Sequence, residues 1–110
     1  MLTPSDTPAQ SALYRLKFLP EALAEWNVLY GSVEEVLRKA LKKRLTQPRL
    51  PGAELHGSLG NCYKIKLRQK GYRLVYSVDD GVMVVLVLAV DKQEDMAAYK
   101  SAVERILSRK

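Results

Sequence analysis

Lys64, Lys66 and Arg68 occupy every second position of Cys62-Tyr63-Lys64-Ile65-Lys66-Leu67-Arg68, and Arg73 follows in Gly71-Tyr72-Arg73-Leu74-Val75-Tyr76. Successive side chains of a strand point to opposite faces, so this spacing sets three cations on one face and Tyr63, Ile65 and Leu67 on the other. The two stretches read as a hairpin, with Gly71 free to take positive φ at the turn. A turn with an even number of residues returns Arg73 to the lysine face. A two-residue turn at Lys70-Gly71 sets it opposite Arg68, and one at Gln69-Lys70 sets it opposite Lys66. Like charges facing each other destabilise a sheet. A solvated face is the ordinary fate of such a run, but two features argue otherwise. No Asp or Glu occurs between Leu55 and Val78 to neutralise the cluster, and the charges sit on an ordered hairpin rather than a tail. Fixed cations suit a fixed anion, and phosphate recognition is the chemistry this cluster can do.

The rest of the composition fits that reading. The 110 residues allow one domain with one core, and 47% hydrophobic against 27% charged residues is a globular balance. A net charge of +6 and a pI near 9.6 favour a polyanionic partner. The single Cys62 excludes an internal disulfide, and with the lone His56 it leaves too few soft ligands for a structural zinc site. The longest apolar run, Val82 to Val90, is too short to cross a bilayer as a helix. The first residues lack the basic start and apolar core of a signal peptide. A reduced, cytoplasmic protein with no membrane partner is expected.

The hairpin needs a scaffold, and the sequence supplies one. Residues 1–12, punctuated by Pro4 and Pro8, read as a disordered leader, and residues 13–110 as the domain. Leu13 to Leu19 alternates as a short strand. Pro20 suits a first helical position, and Leu23, Trp26 and Leu29 or Tyr30 give a helix to about Leu29, with Trp26 in the core. Gly31 ends it. Ser32 with Glu35 makes a capping box for a second helix, whose apolar stripe is Val33, Val36, Leu37, Ala40, Leu41 and Leu45. Its other side carries Arg38, Lys39, Lys42, Lys43 and Arg44, a solvated face that could also touch nucleic acid. Gln47 to Gly60 is a loop offering Arg49 and His56 as rim contacts to phosphate or base. After the basic hairpin, Asp79-Asp80-Gly81 marks a second turn. Val82 to Val90 is apolar throughout, as in a strand buried on both faces. Asp91 with Glu94 is placed to cap a last helix with the stripe Ala98, Ala102, Val103, Ile106 and Leu107, and Tyr99 at its edge. The order is β-α-α-β-β-β-α in a single α+β domain.

Cys62 to Arg68 followed by Gly71 to Tyr76 resembles the RelE family of bacterial toxin ribonucleases. Ala24-Glu25-Trp26, Pro48-Arg49 and the ending Tyr99…Ala102-Val103…Arg105-Ile106 extend the likeness over about Leu13 to Leu107. The hairpin carries its specific part. The resemblance implies a compact fold of the microbial-ribonuclease kind, an antiparallel-rich sheet packed by helices. It implies a toxin of a type II toxin–antitoxin pair, which cuts messenger RNA in the ribosomal A site with no metal or cofactor. The ribose 2′-OH attacks the adjacent phosphate, the 5′-oxygen leaves, and a 2′,3′-cyclic phosphate remains.

By that resemblance Lys64 and Lys66 take the places of two catalytic lysines, Arg73 that of a hairpin arginine, and Tyr99 that of a C-terminal catalytic tyrosine. Lys64 or Tyr99 is the base and Lys66 the acid, with neighbouring cations lowering the pKa of both residue types. Arg49, His56, Arg68, Lys70, Lys92 and Gln93 are the expected contacts to messenger and 16S ribosomal RNA. Relatives often carry an arginine where this chain has Gln93, in an acidic setting of Asp91, Glu94 and Asp95; Lys92 stands beside it. The implied partners are a RelB-like antitoxin, the ribosome, and operator DNA only through the antitoxin complex. Two other readings compete. A ParE-like toxin of the same fold binds DNA gyrase and has no use for Lys64, Lys66, Arg73 and Tyr99 together. A plain RNA-binding module needs exposed stacking aromatics, of which the hairpin has few.

Overall fold

A computed structural model describes residues 13–92 and 97–108. The elements are β1 (Arg15–Phe18), α1 (Pro20–Asn27), α2 (Gly31–Arg44), a 3₁₀ turn (Gly57–Leu59), β2 (Cys62–Leu67), β3 (Tyr72–Asp79), β4 (Val84–Lys92) and α3 (Ala97–Ser108). The order matches the sequence reading. The expected leader and the stretch holding Gln93, Glu94 and Asp95 lie outside the described residues.

One mixed sheet runs in the order β1-β4-β3-β2. β2 and β3 form the antiparallel basic hairpin, β3 and β4 the second hairpin, and β1 pairs parallel with β4. The two interior strands are buried as their composition requires: Leu74, Val75, Tyr76, Val85, Val87 and Ala89 are fully inaccessible. Helices cover both faces. Tyr63 and Tyr76, paired across β2 and β3, stack on one face, where Arg44 of α2 reaches the Tyr76 hydroxyl. Lys66 and Arg73 are paired on the other face, where Tyr99 of α3 lies over Arg73. Trp26 is core and meets Phe18 edge-on.

Several local expectations differ from the structure, each for a physical reason. α2 starts at Gly31 because the Tyr30 carbonyl accepts from Val33 and Glu34. Ser32 is therefore already inside the first turn and makes no cap. α1 ends at Asn27 and buries Ala22 rather than Leu23, which is 43% exposed. At the second hairpin the Asp79 carboxylate accepts from the N–H groups of Gly81 and Val82, holding a wider loop that ends with Met83 at φ 55°. β4 consequently begins at Val84, and Val82 is exposed. Asp91 caps no helix: β4 runs on to Lys92 because Tyr72 and Arg73, at the start of β3, pair with Lys92 and Asp91.

Candidate active site

The site is built on the β2–β3 hairpin. Its connection is Arg68 to Gly71, closed by the Gly71 N–H donating to the Leu67 carbonyl at 2.7 Å, with Gly71 at φ 72°. This loop has an even number of residues, so Arg73 returns to the lysine face, directly opposite Lys66. Two like charges thus share one rung of the sheet, the unfavourable pairing that the sequence pattern raised. Its cost registers on Lys66, whose pKa is held below the ordinary lysine value, first by the charge on Lys64, then by Arg73, by partial desolvation and by Arg68. A lysine with a lowered pKa gives up its proton more readily and so is a better general acid near neutral pH.

Tyr99 completes the cluster from above. Ala98 and Ala102, small and fully buried, let α3 settle on the sheet. The Tyr99 ring then stands with its centroid 5.0 Å from the Arg73 guanidinium carbon, a cation–π arrangement. Cys62 lies on the same strand face but is buried, and burial pushes its thiol up to about 11, so it is no nucleophile. The acid-free surroundings expected from the hairpin sequence are modified by the fold: β4 brings Asp91 in as the cross-strand neighbour of Arg73.

Of the residues expected to line the rim, Arg68 and Lys70 are exposed in the hairpin loop and, with Lys66 and Val36, border a cavity of about 360 Å³. Lys92 pairs with Tyr72 and therefore faces the opposite side of the sheet from Arg73. His56 is exposed, at the entry to the 3₁₀ turn that packs against α3. Arg49 is occupied elsewhere. It binds Asp80 at 2.8 Å and also donates to Asn61 and weakly to Tyr63. Asp80 lies beyond the far end of β3 from Arg73. Gln93 lies outside the described residues.

Sequence reasoning named Arg44, Glu25 and Arg105 but gave none of them the contacts that the fold does. Arg44, assigned to a solvated helix face, donates to the Lys64 carbonyl at 3.1 Å and to the Tyr76 hydroxyl at 2.8 Å; that hydroxyl in turn donates to the Pro48 carbonyl. It thereby fixes the outer edge of the strand bearing both lysines. Glu25 and Arg105 join α1 to α3 beside β4. Their signal was faint, since a charge on a helix usually means solvent.

Comparison with known proteins agrees with this geometry. Residues 16–97 match the family described as "ParE toxin of type II toxin-antitoxin system". The mRNA interferase toxin RelE of Escherichia coli K12 is 48% identical over 94 residues, covering 86% of this chain and 98% of that protein. The chain is a RelE-family toxin of the RelE/ParE superfamily. Among solved structures, the free E. coli RelE toxin carrying two arginine-to-alanine changes superposes with a TM-score of 0.78 at 47% identity, over 86% of this chain and 98% of that one. The RelE chain of the intact E. coli RelBE toxin–antitoxin complex gives a TM-score of 0.70 at 48% identity, over 74% and 98% of the two chains. The likeness to RelE thus extends over 86% of this chain, and no described helix is long and apolar enough to cross a membrane.

Proposed function

We propose that this RelE-family toxin is an endoribonuclease that cuts messenger RNA on the ribosome, with Lys64, Lys66, Arg73 and Tyr99 as its catalytic residues. The carrying observation is the convergence of the hairpin cations with the α3 tyrosine: Lys66 opposite Arg73, and Arg73 beneath Tyr99. In-line attack of a ribose 2′-OH on the adjacent phosphorus puts negative charge on the non-bridging oxygens. Fixed cations stabilise that charge more than the ground state. Arg73, held by its strand and the Tyr99 ring, is suited to the phosphate. The attacking hydroxyl loses its proton to Lys64 or Tyr99. The bond to the 5′-oxygen breaks as Lys66 delivers a proton to it, which its lowered pKa favours. A 2′,3′-cyclic phosphate and a 5′-hydroxyl are the products.

Arg68 and Lys70 extend the cationic surface toward RNA, while Arg49 serves the fold. The partners are a RelB-like antitoxin, the ribosome and messenger RNA, and the setting is cytoplasmic. The gyrase-binding reading loses support, because such a toxin has no use for this cluster and the similar proteins are named mRNA interferases. Primer extension on a defined messenger, with and without programmed ribosomes, tests the proposal. Cuts at A-site codons that require the ribosome are expected. A folded protein that arrests growth without cutting any messenger would overturn the reading in favour of gyrase.

A further inference from the structure

β1 is much shorter than the strand it pairs with. Their ladder ends at Phe18–Val87, and the Leu19 N–H makes the last bond to the Val87 carbonyl. β4 continues to Lys92, so its outer edge beyond Val87 has polar backbone groups with no strand to receive them. Such groups must find partners or stay solvated. Here side chains replace the missing strand. The Val90 N–H donates to Glu25 Oε1 at 3.0 Å, and the Leu88 carbonyl accepts from Arg105 Nη1 at 2.7 Å. The two side chains are also joined to each other by a bidentate pair, at 3.0 Å and 2.8 Å. Both are largely shielded, with side-chain exposures of 16% for Arg105 and 25% for Glu25. A planar guanidinium fork on a carboxylate fixes orientation as well as distance.

Arg105 belongs to the same helix as Tyr99, and the clamp ties that helix to the edge of β4, the strand whose Asp91 neighbours Arg73. The inner side of α3 buries Ala98 and Ala102 and packs Val103 and Ile106 against the core, contacts that hold the helix down but, being non-directional, do not by themselves fix its rotation and register. The bidentate pair, directional where the apolar contacts are not, is the contact suited to fix that register.

We infer that Glu25 and Arg105 are positioning residues for the ribonuclease, setting the register of α3 so that Tyr99 stands over Arg73. The inference rests on the proposed function, and its test separates the two. Ribosome-dependent cleavage is measured for wild type, Glu25→Gln and Arg105→Met, each with Tyr99 intact and in a Tyr99→Phe background. Thermal melts confirm folding at the assay temperature. Amide hydrogen exchange is followed in parallel.

With Tyr99 present, each clamp variant is expected to lower kcat about 10- to 100-fold, the scale on which misplaced reacting groups lose rate, with KM within about twofold. In the Tyr99→Phe background the same changes lower it no further than about twofold, because residues acting as a unit are not additive. Exchange over Ala97–Ser108 is expected to quicken at least about tenfold while β3 stays protected. Should Glu25→Gln not fold, Glu25→Asp takes its place, keeping the charge but unable to span both partners. Equal losses in the two backgrounds, or unchanged exchange in α3, would overturn the inference. Absence of cleavage by wild type, with α3 exchange still responding, would instead count against the ribonuclease reading and leave the clamp standing.

Discussion

The two ends of β3 handle positive charge in opposite ways. At its start, Arg73 faces Lys66, with Lys64 and Arg68 close enough to depress the Lys66 pKa. Beyond its far end, Arg49 is matched to Asp80, which also accepts from the Tyr14 hydroxyl at 2.6 Å. Both partners hold the Asp80 carboxyl below its usual range, the Tyr14 bond first and Arg49 second. One end satisfies its charges and ties Tyr14, just before β1, and the long loop to the β3–β4 turn. The other crowds Lys64, Lys66 and Arg68 around Arg73, whose cross-strand neighbour on β4 is Asp91. Crowding costs stability and creates a binding field for an anion, so within one strand the two ends separate fold from function.

That comparison can be sharpened by perturbing the ends in turn. The larger effect belongs to the crowded end. Arg73→Gln keeps a polar side chain on the strand but removes the fixed charge from the phosphate, and should lower ribosome-dependent cleavage on the order of 10²-fold. Single-turnover kinetics on programmed ribosomes would read this loss, and a drop of less than about threefold would take Arg73 out of the catalytic group.

A smaller but more diagnostic effect is that the ends contribute to stability with opposite signs at neutral pH and lose those contributions at opposite ends of the pH scale. Asp80 has a lowered folded-state pKa, so its contribution is present above the ordinary carboxylate value, roughly 3.9, and is lost as pH falls through the lower folded value. Asp80→Asn should therefore melt earlier than wild type at neutral pH, with the difference shrinking in strong acid. Lys66 also has a lowered folded pKa and, like Asp80, binds fewer protons folded than unfolded between the two values. For a lysine, however, the charged form that the fold disfavours is the one present at neutral pH. Its penalty is full below the folded pKa and is relieved as pH rises toward the unfolded value of about 10.4. Lys66→Ala should accordingly melt later than wild type at neutral pH, with that gain fading in alkali. Melts of both variants across pH would show it, and shifts in the same direction at neutral pH would dissolve the distinction between the ends.

The hairpin was legible because strand periodicity and charge spacing are both local. The alternation from Tyr63 to Arg68 and the freedom of Gly71 narrowed Arg73 to two partners, and the loop closure at Leu67 selected Lys66. The buried strand was legible from the apolar run of β4, though its start was not: the side-chain bonds of Asp79 widened the turn beyond what Asp-Gly alone implies. Nothing local could reveal Asp91 beside Arg73, since that neighbour depends on how far β4 pairs with β3. The same holds for Arg49, whose place before the loop suggested RNA while the fold supplied Asp80. Glu25 with Arg105, and Arg44 with Lys64, answer backbone groups on strand edges, which only the completed sheet defines.

The most direct test of the account is to compare Lys66→Ala with Arg49→Ala in single-turnover cleavage of a messenger on programmed ribosomes, with each rate corrected for the folded fraction. The account predicts that Lys66→Ala loses about 10²-fold or more, the scale of a general acid, while Arg49→Ala stays within about threefold of wild type. Retained cleavage in Lys66→Ala, or an equal loss in Arg49→Ala, would contradict the assignment of the active site to the crowded end of the strand.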